Sequence, residues 1–203
     1  MEQNKTIQRA MDYVNQMLVP LENHYYHQYH HALDVMDRSI YLSKKEGLSA
    51  KEIEIMALSA IFHDTGFVIQ YDKNEPIWAK IARNYLKSML YDDESIALIE
   101  EIILATDPSY KTPKNIYEKI IKDADLDNLW RDDFLDKSKN LNKELSAIKN
   151  IKIIEPDWQH GTINFLAEHK YYTNTQIEER QKKKESNQQK LKQMVQDLEN
   201  WEI

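Results

Sequence analysis

Apolar positions recur at helical spacing along most of the chain. Between residues 4 and 18, Ile7, Met11, Val14 and Leu18 fall on one face, and Pro20 predicts the stop. A second helix begins within "YYHQYHHALDVMDRSIYLSKKEG", with Ala32, Val35, Met36, Ser39, Ile40 and Leu42 near one stripe and Gly47 beyond its end. A third, "LSAKEIEIMALSAIFHDTG", has Ser49 at its N-cap and Glu52 at capping-box spacing, with Gly66 as the expected C-cap. After the loop "FVIQYDKNEP", Pro76 opens a helix through "IWAKIARNYLKSML". "DDESIALIEEIILAT" follows, ended by Asp107-Pro108, and then "NIYEKIIKDADLDNLW". "IKIIEPDW" reads as a short strand or a connection. From about Asp157 the pattern is helical again, and "TNTQIEERQKKKESNQQKLKQMVQDLENWEI" reads as a long polar helix whose charge-rich stretch marks a solvated face. The expected fold class is all-α.

Composition agrees with this reading. Three glycines and five prolines in 203 residues are too few turn formers for a sheet-rich chain. Without cysteine there is neither a disulfide nor a thiolate zinc site, so any metal sits on His, Asp, Glu or carbonyl oxygen. The absence of cysteine suits a reducing cytoplasm, and a cytoplasmic location is expected. The polar, amphipathic start does not resemble a signal peptide, and no run is long enough to cross a bilayer, so no membrane partner is expected. A net charge of −7 argues against a partner bound through nucleic-acid phosphates. A small phosphorylated ligand stays open, because a local cation can outweigh the global field.

Three segments carry candidate chemistry. In "LSAIFHDTGF" an apolar helix ends on His63 and Asp64, and a buried carboxylate is costly unless paired, hydrogen-bonded or metal-bound. In "HYYHQYHH", His27 and His31 share a helical face while His30 points elsewhere. In "KIIKDADLDNLW", Ile121, Asp125 and Leu129 share a face, whereas Asp123 and Asp127 are expected to meet solvent.

In this order and context the three segments resemble the H…HD…D signature of the HD superfamily of metal-dependent phosphohydrolases. The match rests on His31 in "YHQYHHALDV", His63-Asp64 in "IFHDTGF" and Asp125 in "DADLDNL", and covers roughly residues 20 to 175. "FHDTGF", "KDADLDNL" and "FLAEHKYYT" resemble a bacterial branch known only as predicted metal-dependent phosphohydrolases. The resemblance implies a helical bundle, residues 1–175, with a C-terminal helical extension over 176–203. It implies one divalent ion (Mn, Fe, Co, Ni, Zn or Mg) held by His31, His63, Asp64 and Asp125, which makes a buried Asp64 tolerable. His27 is similar in position to the histidine that protonates the leaving oxygen in cyclic-nucleotide phosphodiesterases; the alternative is a hydrogen bond that orients His31. Lys122 and Arg83 are candidate phosphate contacts.

The chain also departs from the family. Where relatives often carry a "HE" pair, it reads Asn74-Glu75-Pro76, which favours a single ion, leaves Glu75 as a candidate base and puts Asn74 at the substrate. No "GYP" follows the domain, and no acidic pair follows "HD", which disfavours the cyclic-di-GMP and alarmone branches. His160 and His169 are candidates for the pocket mouth, against packed or exposed roles for each. The expected activity is hydrolysis of a phosphoester or phosphoanhydride in a small phosphorylated molecule, a nucleotide foremost, by a metal-activated water with His27, Asp64 and Glu75 as catalytic groups. One alternative is a non-catalytic HD-type nucleotide-sensing or regulatory module. Another is a purely structural ion with a closed shell. Leu191, Met194, Val195 and Leu198 give the tail a short stripe with which to form a homodimer arm or to fold back.

Overall fold

The computed structural model describes residues 2–19 and 21–201, so the stop expected from Pro20 lies outside the described residues. The chain is all-α, with no strand among the described residues. In chain order the helices are α1 (Glu2–Leu18), α2 (Tyr29–Lys45), α3 (Ala50–Phe62), α4 (Glu75–Ser88), α5 (Asp93–Leu104), α6 (Ile116–Asp125), α7 (Phe134–Lys149), α8 (Asp157–Glu168) and α9 (Asn174–Trp201). Short 3₁₀ turns follow α3, at Thr65–Val68, and α6, at Asp127–Trp130.

α3 is the central element. Every residue from Glu54 to Phe62 is buried, and α1, α2, α4, α5 and α6 all pack against it. Leu58, Ile61 and Phe62 sit in a core with Val14, Leu42, Leu86, Ile99 and Ile120. Each such side chain contributes about 1.5–3 kcal/mol relative to exposure. The helix starts with the expected capping box: Ser49 accepts from the Glu52 N–H, and the Glu52 carboxylate accepts from the Ser49 N–H at 2.7 Å. It stops at Phe62, so His63 and Asp64 emerge in the middle of the protein rather than at its surface.

Gly66 does not cap α3. It lies in the 3₁₀ turn, and of the glycines only Gly47 has a positive φ. Gly66 is required by contact instead: a Cβ there would stand 1.9 Å from Trp78 Cδ1 and 2.7 Å from the Asn74 carbonyl oxygen. Trp78, on the second turn of α4, thereby locks the loop after the His-Asp pair.

α7 is a helix that the apolar pattern does not announce, since Phe134 and Glu144 are its buried residues. "IKIIEPDW" is a connection, and its continuation into α8 follows the pattern. α9 folds back onto α8, the turn after α6 and α2, burying Leu191 and Val195.

That return changes the fate of two aspartates expected in solvent. Asp123 is fully buried and accepts from the Tyr172 N–H (2.9 Å), the Thr173 N–H (2.7 Å) and the Thr173 hydroxyl (2.7 Å) at the entry to α9. Asp127 pairs with Arg38 and Arg180, each at 3.1 Å, and accepts from the Gln176 amide. No helix among the described residues is long and apolar enough to cross a membrane.

Candidate metal centre and cleft

Three helices deliver the candidate ligands. His31 lies in the first turn of α2, His63 and Asp64 follow the last residue of α3, and Asp125 ends α6. His31, His63 and Asp125 form a compact trio whose ligand atoms all lie within 4.8 Å of one another. His31 Nε2 is 3.1 Å from Asp125 Oδ1, and His63 Nε2 is 3.4 Å from the same oxygen. Asp64 joins through Oδ2, 3.4 Å from His31 Nε2 and 3.3 Å from His63 Nε2.

This geometry fits a cation better than it fits a hydrogen-bonded cluster. His63 and Asp64 are 1% and 3% exposed, yet His63 Nε2 and Asp64 Oδ2 have no hydrogen-bond partner. Two orphaned buried polar atoms facing each other are expensive unless something sits between them. An ion about 2.0–2.2 Å from each ligand sets adjacent donors roughly 3 Å apart, close to the observed spacing. His63 Nδ1 donates to the Ala60 carbonyl at 2.6 Å, which leaves Nε2 as the electron-pair donor. Burial opposes charge on His63, but Asp64 and Asp125 override it and push its pKa up to about 9. The same two imidazoles hold the Asp125 carboxyl well below the ordinary range, against its burial. Two nitrogens and two carboxylates accept several divalent ions and do not select one.

His27 stands beside the centre, its ring 5.8 Å from that of His31. Its partner is Glu144 of α7, which is fully buried. One Glu144 oxygen pairs with His27 Nδ1 and accepts from the Tyr71 hydroxyl at 2.9 Å. The other accepts from the backbone N–H groups of Tyr26 (2.8 Å) and His27 (3.0 Å). Burial alone lowers the pKa of His27, but the hydrogen bond to Glu144 and the charges of Asp64, Glu144 and Asp125 together outweigh it and the pKa is raised. The His27 pair and the two N–H donors in turn hold Glu144 down at about 2, against its burial. No sequence signal marks Glu144: it is one acidic residue in a polar, lysine-rich segment, 117 positions from its partner.

Two cavities meet at this centre, sharing His27, Pro108 and Asp125. One, about 770 Å³, is a polar cleft walled by Asp64, Tyr71, Asn74, Glu75 and Thr106. The other, about 450 Å³, is walled mainly by apolar side chains from the end of α6, from α7 and from α8. A third hollow, between α7, α8 and α9, contains none of the candidate site residues.

The remaining candidates are distributed unevenly. Glu75 lines the polar cleft, and burial raises its pKa. Asn74 lines it too, although its side-chain N–H₂ is engaged by the carbonyls of Gln70 and Tyr71. Lys122 lies behind the cleft wall, donating to the carbonyls of Ala105 (2.7 Å) and Asp107 (3.2 Å), and burial lowers its pKa. Arg83 belongs to neither cavity; its guanidinium is held by both oxygens of Glu100, so the structure does not form the expected phosphate contact from Arg83. His160 pairs with Glu199, and His169 accepts from Lys184, so neither reaches the pocket mouth.

An all-helical scaffold that converges two histidines and two aspartates from three helices is an HD-type arrangement that could hold a metal ion. Residues 29–127 match the HD domain, which supports membership of the HD superfamily. Its fold is similar to that of Bacillus subtilis YpgQ, with a TM-score of 0.67 at 16% identity over 98% of this chain and 97% of that one. A second YpgQ structure, in complex with ADP, matches with a TM-score of 0.67 at 18% identity, covering 98% and 96%. An HD-superfamily hydrolase from Bacillus thuringiensis matches with a TM-score of 0.64 at 15% identity, covering 98% of each chain. At these identities the likeness shows the fold alone. No curated protein matches the chain.

Proposed function

We propose that the protein is a metal-dependent phosphohydrolase whose substrate is a small phosphorylated molecule, a nucleotide foremost. The observation that carries this reading is the pair of orphaned atoms, His63 Nε2 and Asp64 Oδ2, facing each other at the edge of a polar cleft. His31, His63, Asp64 and Asp125 would hold one divalent ion. Such an ion, when bound, would supply positive charge to a phosphate oxygen and bring the pKa of a water down toward neutrality. His27, whose pKa the pairing with Glu144 helps to raise, donates a proton to the leaving oxygen. Glu75, which lines the cleft and whose pKa burial raises, accepts one from the attacking water. Tyr71, tied to the same Glu144 oxygen as His27, fixes the cleft wall opposite.

The cleft favours hydrolysis over a purely structural ion, because a closed shell leaves no route for substrate to Asp64 and Asp125. The ADP bound by YpgQ supports a nucleotide substrate for a chain of the same fold. The test is release of phosphate and pyrophosphate from nucleotides, cyclic nucleotides and sugar phosphates by metal-stripped protein, with Mn²⁺, Mg²⁺, Co²⁺ or Ni²⁺ restored. Metal-restored turnover that His63→Ala/Asp64→Ala lacks is the expected result. Silence across the panel with the ion still bound would favour the sensing module.

A further inference from the structure

Gly161 occupies the middle of α8, where glycine weakens a helix by exposing backbone and raising the entropy of the unfolded chain. Its φ is not positive, and a Cβ built there would meet no atom within 4 Å. Neither backbone conformation nor crowding explains the residue. What lies beside it is the apolar cavity, which it lines.

On α8, Trp158 precedes Gly161 by one turn and Phe165 follows it by one turn, so all three share a face and all three line the cavity. Trp158 is fixed by its indole N–H donating to Ser138 of α7 at 2.9 Å. Phe165 is 44% exposed, a large apolar ring not spent on the core. Leu126, Phe134 and Leu141 form the facing wall. The result is a slot of about 450 Å³ with aromatic flanks and a missing side chain between them. It opens at His27 and Asp125, beside the candidate metal centre.

We infer that this slot takes the base of a nucleotide, with Gly161 as the residue that keeps it open. A volume in the range of ordinary ligand pockets, apolar walls and a few convergent polar groups suit a flat heteroaromatic ring. Stacking on aromatic side chains is tolerant of which base is bound. Because the slot and the polar cleft share His27 and Asp125, a base seated in one places its phosphates at the metal ligands. This inference rests on the hydrolase reading above and assigns the part of the substrate that carries no phosphate.

The test is calorimetric titration of the Mn²⁺-loaded protein with two uncleavable probes, α,β-methylene-ADP and methylenediphosphonate, which differ by the nucleoside. Wild type is expected to bind the nucleoside-bearing probe at least tenfold more tightly. Gly161→Leu should remove about tenfold of that affinity while leaving methylenediphosphonate within twofold. Phe165→Ala, at an exposed position, should lower it about fivefold in the same selective way. Gly161→Ala should fold and melt no lower than wild type. Equal binding of the two probes, or equal weakening of both by Gly161→Leu, overturns the slot assignment and leaves the hydrolase reading standing. Failure of both probes to bind the Mn²⁺-loaded protein overturns the underlying reading and the slot with it.

Discussion

Glu144→Gln removes one negative charge and almost no volume from the junction of α7 with the start of α2. In the native protein that carboxylate serves Tyr26 N–H, His27 N–H, the Tyr71 hydroxyl and the His27 ring. A carboxyl held at about 2 instead of its usual 4.5 corresponds to about 3 kcal/mol of stability at neutral pH, since each pH unit is worth about 1.4 kcal/mol. A second estimate agrees: breaking a buried, hydrogen-bonded ion pair by removing one partner costs roughly 3–5 kcal/mol. Urea unfolding at pH 7 should therefore show Glu144→Gln about 3 kcal/mol less stable than wild type. Because the folded-state pKa of Glu144 is depressed, its contribution is complete above pH 4.5 and is lost as pH falls through about 2. At pH 3.5 the difference should shrink to about 2 kcal/mol. His27 should also titrate at lower pH in the variant, as followed by NMR of its ring protons, because burial then acts without the opposing carboxylate. A loss below about 1.5 kcal/mol at pH 7, the low end for a hydrogen bond to a charged group, with unchanged His27 titration would refute the reasoning.

Three further outcomes follow from single contacts. Gly66→Ala should destabilise the protein by about 2 kcal/mol in thermal unfolding, within the range for overpacking, because its Cβ would overlap the buried Trp78 ring; an unchanged melting temperature would contradict that. Asp123→Ala leaves the Tyr172 and Thr173 N–H groups without an acceptor, at about 1–3 kcal/mol each if they stay buried, and should make the chain cleavable near Thr173 in limited proteolysis. Burial, with Lys184 and Lys111 close by, holds His169 down to about 3. It is neutral in the folded protein, so its contribution is intact above pH 6.5 and falls away below it, by about 2 kcal/mol at pH 5. In His169→Gln that part of the acid limb should be absent from the stability profile.

Much of the helical frame is legible in the sequence because α1 to α6 are amphipathic or wholly buried and bear their own punctuation, such as the Ser49 capping box and Pro76. The candidate ligands are legible for a related reason: an apolar helix ending on two ionisable groups is a local contradiction that burial makes costly. What is not legible is non-local. α7 buries Phe134 and Glu144 and otherwise carries polar residues, so its periodicity is weak. Glu144 is indistinguishable from a solvated acid until α7 is laid beside His27. Asp123 and Asp127 leave solvent only because α9 returns across them. Gly66 has the spacing of a helix cap, and only the fold reveals that Trp78 occupies the room a side chain would need. Arg83 and Lys122 look like free cations near a phosphate site, yet Glu100 and two backbone carbonyls take them up.

The central claim is that His31, His63, Asp64 and Asp125 form one ion site. It is tested most directly by titrating Mn²⁺ into metal-stripped protein by calorimetry, for wild type and for Asp64→Ala and Asp125→Ala whose helicity by circular dichroism is unchanged. One ion per wild-type chain, with affinity reduced at least a hundredfold in each variant, is the predicted result. Equal affinity and stoichiometry in all three proteins would contradict the account.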